Sequence, residues 1–457
     1  MINHQNKKNK PIVIVGAGIT GLACAYFLKK TGRPIYIIEK SKQAGGLLSC
    51  FKHNGYTLEK FYHHFFNEDA ELKQLIQHLK LEQSFQSFPS SVGIEHQGQF
   101  FPFTTVKDLL NFTPLSFINR IRFGVCSLIL GKLLNWKHYH HISAYAWFLK
   151  YVGKQATKII WQPMMMGKFS DAYKTIPLAW FIGRLKQRMS SRKQSGAESL
   201  YYIMGSIENF ITNLIKDLKQ SNISMIYEDQ IHTIESHDNS ITQITTKNGL
   251  SFDDPYLILT TPSHVSADLL KTVDVQLSQT LKSIEYYHAH CMVLILKKSL
   301  SPVYWLNITD SKSPFVGIIE HTNLIPKHHY NNDHIVYLTK YSLNTDPLVT
   351  MGEDLVKKIF LQHLKKKFPG YNFNENLNTS FLFHSSTAAP VFPLNFDQRL
   401  KNCQSKIKNF HLSMMPHVYP DERSVNNAIR IAYNTCKKAG FDLEPLAQGN
   451  NIAAKII

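Results

Sequence analysis

A chain of 457 residues with 44% hydrophobic and 12% aromatic content has room for two or three domains and a large core, which excludes a disordered or fibrous protein. Lysine and arginine outnumber acids 51 to 33, a balance that draws a chain towards anionic partners. No compact basic helix or reader motif goes with it, so nucleic acid is set aside, while an acidic membrane face, an anionic substrate and a plainly solvated basic surface stay open. The six cysteines (24, 50, 126, 291, 403 and 436) form no C-x-x-C pair and no finger spacing, which excludes a zinc-finger framework and fits free thiols in a reducing, cytoplasmic compartment.

Met1 to Lys10 is polar and basic and lacks the apolar stretch of a secretory leader. Ile12-Val13-Ile14-Val15 then reads as a buried parallel strand that runs into Gly16-Ala17-Gly18-Ile19-Thr20-Gly21 and a helix. A second strand, Ile35 to Ile38, ends on Glu39, and Gly45-Gly46 follows within one short loop. Each part has a mechanical role in holding a dinucleotide. Gly16 permits the tight turn, Gly18 lets a pyrophosphate approach the backbone, and Gly21 lets the helix pack close to the strand. The helix points its unpaired amides at the phosphates. Glu39 stands where it can accept hydrogen bonds from a ribose.

Further along, the spacing of Leu72, Leu75, Ile76 and Leu79 predicts a helix over Ala70–Leu81. Residues 89–194 read mainly as helices and loops rich in aromatics. Within them, Phe112–Leu134 is apolar but interrupted by Arg120, Arg122 and Lys132, too charged to span a bilayer. It reads as an amphipathic cap helix, with shallow insertion into one leaflet as the sharper alternative. His138, His140 and His141 have no acid or cysteine at ligand spacing, so no metal is expected. A helix (Ile207–Leu218), a strand (Ile223–Tyr227), a hairpin (Ile231–Ile234 with Ile241–Thr246) and a buried strand (Tyr256–Thr260) come next. The runs Cys291–Leu296, Phe315–Ile319 and Ile335–Lys340 suit a second sheet. Leu355–Phe368 is a helix stopped by Pro369-Gly370, Phe410–Ser413 a short strand, and Asn427–Lys438 the last helix.

The Gly-Gly pair beyond the ribose-binding acid resembles the flavin amine-oxidase superfamily, in particular its protoporphyrinogen-oxidase-like and phytoene-desaturase-like proteins. So do Glu59 to Phe66, Trp161-Gln162-Pro163 with Lys168-Phe169, Ala179-Trp180 with Arg184, Ile319 to Asn323, and Tyr419-Pro420-Asp421-Glu422-Arg423 with Asn426 to Ile429. The resemblance spans nearly the whole chain. It implies an α/β fold in which a Rossmann-like FAD-binding domain of the glutathione-reductase type (1–88, 200–268 and 402–457) is interleaved with an α+β substrate domain and a helical cap (89–199 and 269–401). It also implies FAD, cradled by Gly16, Ala17, Gly18, Thr20, Gly21, Glu39, Lys40, Gly45, Gly46 and Leu47, with Ile231, Asn426 and Ala428 joining from later in the chain. His63, His64, Glu320 and His321 are the candidate catalytic residues, each weighed against a structural role. For Glu320-His321 the alternatives are the wall of a substrate cavity and an exposed pair at a strand end.

Three departures from the family pattern stand out. Leu47 replaces an arginine, Ser206 a second glycine, and Met414-Met415-Pro416-His417 a Gly-Asp. The expected chemistry is removal of hydride from an apolar or ring-shaped small molecule, with an undetermined electron acceptor and no second dinucleotide. Two rivals remain: a non-redox flavin-dependent sugar-nucleotide mutase, in which arginines such as Arg184 and Arg423 clamp a diphosphate, and a membrane-associated protein that merely holds FAD.

Overall fold

The computed structural model describes residues 10–190 and 198–446; the reading of the amino-terminal stretch falls, but for Lys10, outside them. Its organising element is a five-stranded parallel sheet in the order Phe410–Leu412, Tyr256–Leu259, Ile12–Val15, Ile35–Ile38, Ile223–Ile226. Strands covered on both faces must be apolar throughout, which explains the unbroken Ile/Val/Leu runs. The two-residue period divides them between two cores. Ile12 and Ile14 enter one, with the helices Ile19–Leu28 and Val425–Lys438, while Val13 and Val15 enter the other, with the cap. Three distant stretches of chain thus build one sheet, and an antiparallel meander (231–237, 240–246 and 251–253) hangs from its middle segment.

The second sheet has seven strands, in the order Leu377–Pro390, Tyr286–Leu296, His334–Ser342, Gly317–Glu320, Trp305–Ile308, Val92–His96, Gln99–Pro102. Tyr286–Leu296 is buried along its whole length. The helix Glu353–Lys367 closes one side through Val356, Phe360 and Leu364. The cap is helical: wide π-type turns at 129–133, 148–152 and 157–161 lie between Phe117–Leu128 and Gln162–Phe169, and the tighter segment Ser170–Thr175 leads on to Leu178–Ser190. Its centre is an aromatic stack in which Trp161 lies 4.5 Å from Phe148 and 5.6 Å from Phe123, ring centre to ring centre.

Several expectations need correction. The stretch read as helices and loops opens with a hairpin, 92–96 and 99–102, that forms the edge of the second sheet. Its turn, Gln97-Gly98, has both residues at positive φ, and Gly93 leaves room for the Phe100 ring, which a Cβ would meet at 2.5 Å. The strand Ser199–Ile203, not expected, pairs with Phe85–Pro89. The helix from Ala70 ends at His78 because Lys80 turns left-handed at φ 58°.

Ser206 carries a glycine-like backbone, φ 74° and ψ 170°, where the family pattern has glycine, and its hydroxyl accepts from the Glu208 amide at 3.2 Å. Backbone strain of this kind costs on the order of 1–3 kcal/mol, whereas exchanging a serine cap for glycine costs only a few tenths. Ser206→Gly is therefore expected to raise the unfolding free energy by about 1 kcal/mol. Ser206→Ala keeps the strain, loses the cap and lowers it. Denaturant titration of the two variants measures the sign directly.

Candidate active site

The opening turn is held from both sides. The Gly16 amide donates to Ile38 O at 2.8 Å, and the Thr260 hydroxyl donates to Val15 O at 2.8 Å. A Cβ on Gly21 would stand 1.9 Å from Gly16 O, so the first helix reaches this close to the turn only with glycine there. The second glycine loop lies directly against the first. The Gly45 amide donates to Ala17 O at 2.9 Å, and a Cβ on Gly46 would meet the Gly18 Cα at 3.4 Å. Gly16, Gly45 and Gly46 all take positive φ. Glu39, at the tip of the second strand, accepts from the Ala17 amide at 2.8 Å and the Ser41 amide at 2.9 Å. The Asp229 amide donates to Glu39 O at 3.1 Å, which brings Ile231 and its strand alongside. Thr20 is buried in the first helical turn, Leu47 is half-buried in the turn 46–48, and Lys40 is exposed.

Gly18 differs from the other glycines of the cradle. Its φ is −69°, and a Cβ built on it meets nothing within 4 Å. The backbone is bare where a diphosphate would approach the helix amides, so the cradle fits an extended dinucleotide.

A second group of residues gathers where the segment 59–66 meets the cap and the segment 419–426. Glu59 is buried and anchors that passage, accepting from the Tyr202 hydroxyl and the Ile207 amide, each at 2.9 Å. His63 and His64 follow. Burial, reinforced by Arg423, lowers the His63 pKa to about 4. Burial, with Arg184, Arg188 and His63 behind it, lowers that of His64 to about 3. His64 Nδ1 lies 2.9 Å from the Tyr304 hydroxyl; among the described residues, His63 Nδ1 has no hydrogen-bond partner. Arg184 stands over the Phe66 ring at 5.5 Å, and Arg423 donates to the Tyr341 hydroxyl at 2.7 Å. Lys168 and Glu422 pair at 2.8 Å. Burial pushes the Glu422 pKa up, but Lys168, Arg184 and Arg423 outweigh it and hold the carboxylate below its ordinary range. Lys168, Phe169, Trp180, Tyr287, Tyr341, Phe392, Glu422 and Arg423 line a cavity here.

The last helix approaches the same place. Ser424 caps it by accepting from the Asn427 amide at 3.0 Å. The Asn426 side chain is committed to the helix 70–78: it accepts from the Leu72 amide at 2.9 Å and donates to Glu71 at 2.6 Å. Only its main chain remains for a ligand. Ala428 is fully buried.

Glu320 and His321 meet neither alternative weighed for them. Both are buried and neither lines the cavity. Glu320 accepts from the Leu300 amide at 3.0 Å and from the Ser301 amide at 2.5 Å, and His321 Nε2 lies 2.6 Å from the Tyr330 hydroxyl. Their polar atoms are spent on fixing loops. Conversely, Tyr62, Lys168, Arg188, Tyr341 and Glu422 belong to the cluster and were absent from the expected site. Arg188 could have been found from its i+4 spacing to Arg184 on one helix face.

With this geometry in view, the class is an enzyme built on a nucleotide-binding parallel sheet. Residues 19–412 match the family model of flavin containing amine oxidoreductases, and the chain belongs to that family: it is a flavin-dependent oxidoreductase. It is 23% identical over 354 residues to the coproporphyrinogen III oxidase of Staphylococcus aureus (strain NCTC 8325 / PS 47), an alignment covering 67% of this chain and 75% of that one. A protoporphyrinogen oxidase-like protein of Exiguobacterium sp. 255-15 superposes with a TM-score of 0.76 at 16% identity, over 94% of this chain and 98% of the other. Reduced UDP-galactopyranose mutase superposes with a TM-score of 0.71 at 15% identity, over 94% of each. At such identities these two structures speak for the fold.

Gly18→Val should fold normally, having space and an ordinary φ, yet purify without flavin, because its side chain fills the crevice. Gly21→Ala should instead fail to fold or melt far lower. Absorbance at the flavin band together with thermal melts separates the two. Below about pH 6.5 the unfolded chain takes up a proton at His64 that the folded chain refuses, so stability is full above that pH and declines towards pH 3. One such group contributes up to about 1.4 kcal/mol per pH unit. His64→Gln is expected to flatten the plot of unfolding free energy against pH between 6 and 4 by up to about that slope.

Proposed function

We propose that the chain is an FAD-dependent oxidase or desaturase of the protoporphyrinogen-oxidase-like kind, which removes hydride from an apolar or ring-shaped small molecule. The observation that carries this reading is a pair of half-buried histidines, held uncharged, of which His63 feels Arg423, and Arg423 in turn lines a cavity with Phe169, Trp180, Tyr287, Tyr341 and Phe392. Bound FAD supplies a two-electron acceptor for a hydride from a substrate C–H bond. The chain's own residues do the rest. Gly16, Gly18, Gly45 and Gly46 would hold the diphosphate by backbone, Glu39 would hold the ribose, and the amino-terminal turn of the last helix would face the flavin. Aromatic walls exclude water and orient a flat substrate. To His63, held neutral, we assign acceptance of a proton from the substrate as hydride leaves. Glu320 and His321 are structural in this reading.

We assign the cofactor-binding part to 1–88, 200–268 and 402–457 and the substrate part to 89–199 and 269–401. The free cysteines support a reducing, cytoplasmic setting.

A second reading is favoured by a specific observation: Arg184, Arg188 and Arg423 converge on the histidines, as arginines that clamp a diphosphate would. Anaerobic mixing decides between the two. Bleaching of the flavin band by a porphyrinogen, polyene or amine, without prior reduction, is the expected outcome. Turnover of a sugar nucleotide only after chemical reduction of the flavin would replace the oxidase reading with a mutase. A bound flavin that responds to no substrate in the panel would reduce the chain to a flavin carrier.

A further inference from the structure

The cap exposes an apolar stripe that no described element covers. Phe117, Ile121, Val125 and Leu128 recur at i, i+4, i+8 and i+11 on one helix, which sets them within a sector of about 80°, and Ile118 borders it. Ile118 is 78% exposed, Phe117 64%, and Leu133, one turn beyond, 76%. The buried side of the same helix is carried by Phe123 and Cys126. An amphipathic helix ordinarily turns its apolar stripe inwards; this one shows a second stripe to the outside.

The surrounding charge is one-signed. From 109 to 170 the chain has no aspartate or glutamate, although 33 acids in 457 residues would place four or five there, and it carries eight lysines and arginines. Arg120 and Arg122 flank the stripe on either side of the helix. Each is tied down, Arg120 to Leu115 O at 2.7 Å and Arg122 to Lys150 O at 2.9 Å, which fixes the helix to its neighbours. Lys132, Lys137, Lys150, Lys154 and Lys158 are exposed on the following elements. A second copy of the chain would bring like charges together around the stripe with no acid to answer them, which disfavours a dimer. Among the described residues, no helix is long and apolar enough to cross a membrane.

We infer that this face docks on a bilayer leaflet bearing anionic headgroups: the stripe enters the acyl boundary and the lysines and arginines stay among the phosphates. The same acid-free segment runs on to Lys168 and Phe169 at the cavity wall, so the docked helix and that wall belong to one stretch of chain. The inference holds whatever the cavity binds.

Vesicle flotation of the full-length, flavin-loaded protein tests it. The protein should float with phosphatidylglycerol–phosphatidylcholine vesicles and remain below with phosphatidylcholine alone. Ile118→Glu with Leu128→Glu should weaken flotation by at least about tenfold, with the thermal melt and flavin content unchanged because both sites are exposed. Lys132→Ala with Lys154→Ala should weaken it less and make the remainder less sensitive to salt. Equal flotation on both vesicle types would overturn the inference, as would flotation unmoved by the two glutamates. Sedimentation showing a dimer that the glutamates dissolve, with no flotation at all, would assign the face to a second copy instead.

Discussion

The contact between Gly21 and the carbonyl of Gly16 governs the geometry of everything around it. Any side chain at Gly21 would overlap that oxygen, so the first helix sits as close to the central strand as two backbones allow. This closeness aims the helix amides across the turn. It also leaves Gly18 bare and lets the loop 45–46 lie against the turn from the other side. Glu39 then closes the arrangement by accepting from the Ala17 amide. A carboxylate and a bare turn, brought together by one glycine contact, are what a dinucleotide needs for its ribose and its diphosphate.

The cavity has a different physics. Arg184 has Arg188, Glu422 and Glu198 around it, and Glu422 has Lys168, Arg184 and Arg423. Burial and these cations act in the same direction on His63 and His64, and both lower the pKa. On Glu422 they act in opposite directions and the cations win. The site therefore holds its histidines neutral and its carboxylate ionised across the physiological range. Neutral imidazole can accept a proton or a hydrogen bond, but it cannot serve as a cationic acid there.

Local signals made the nucleotide cradle readable in the sequence. The strand, the three glycines, the acid at the tip of the next strand and the second glycine pair all lie within thirty-five residues, and each has a steric or hydrogen-bonding reason to be there. The histidine and arginine cluster was less readable, because its members come from 62–64, 168, 184–188, 341 and 422–423 and meet only through the tertiary fold. Glu320-His321 shows the converse. An acid beside a base suggests chemistry, yet its surroundings supplied Leu300 and Ser301 amides and the Tyr330 hydroxyl, and the pair became internal scaffolding. Asn426 shows a related limit: its position at the helix start is visible in sequence, but the direction of its side chain depends on Glu71 and Leu72, some 350 residues earlier. The hairpin 92–102 escaped because its turn is Gln-Gly, outside the Asn-Gly and Asp-Gly pairs that announce such turns.

The same arginines that admit the mutase reading also limit it. A diphosphate clamp needs guanidiniums free to converge on a ligand. Here Arg423 is engaged with the Tyr341 hydroxyl, Arg184 with Gln187 and the Phe66 ring, and both act on Glu422. A substrate phosphate would have to replace the Glu422 carboxylate as their counter-charge, and that carboxylate is itself paired with Lys168. A flat, largely apolar substrate asks for no such exchange. In the proposed reading such a substrate meets the apolar faces of Trp180, Tyr287 and Phe392 and leaves the ionic network whole. It is the existing pairing of Arg184 and Arg423, more than the number of arginines, that weighs against a diphosphate clamp.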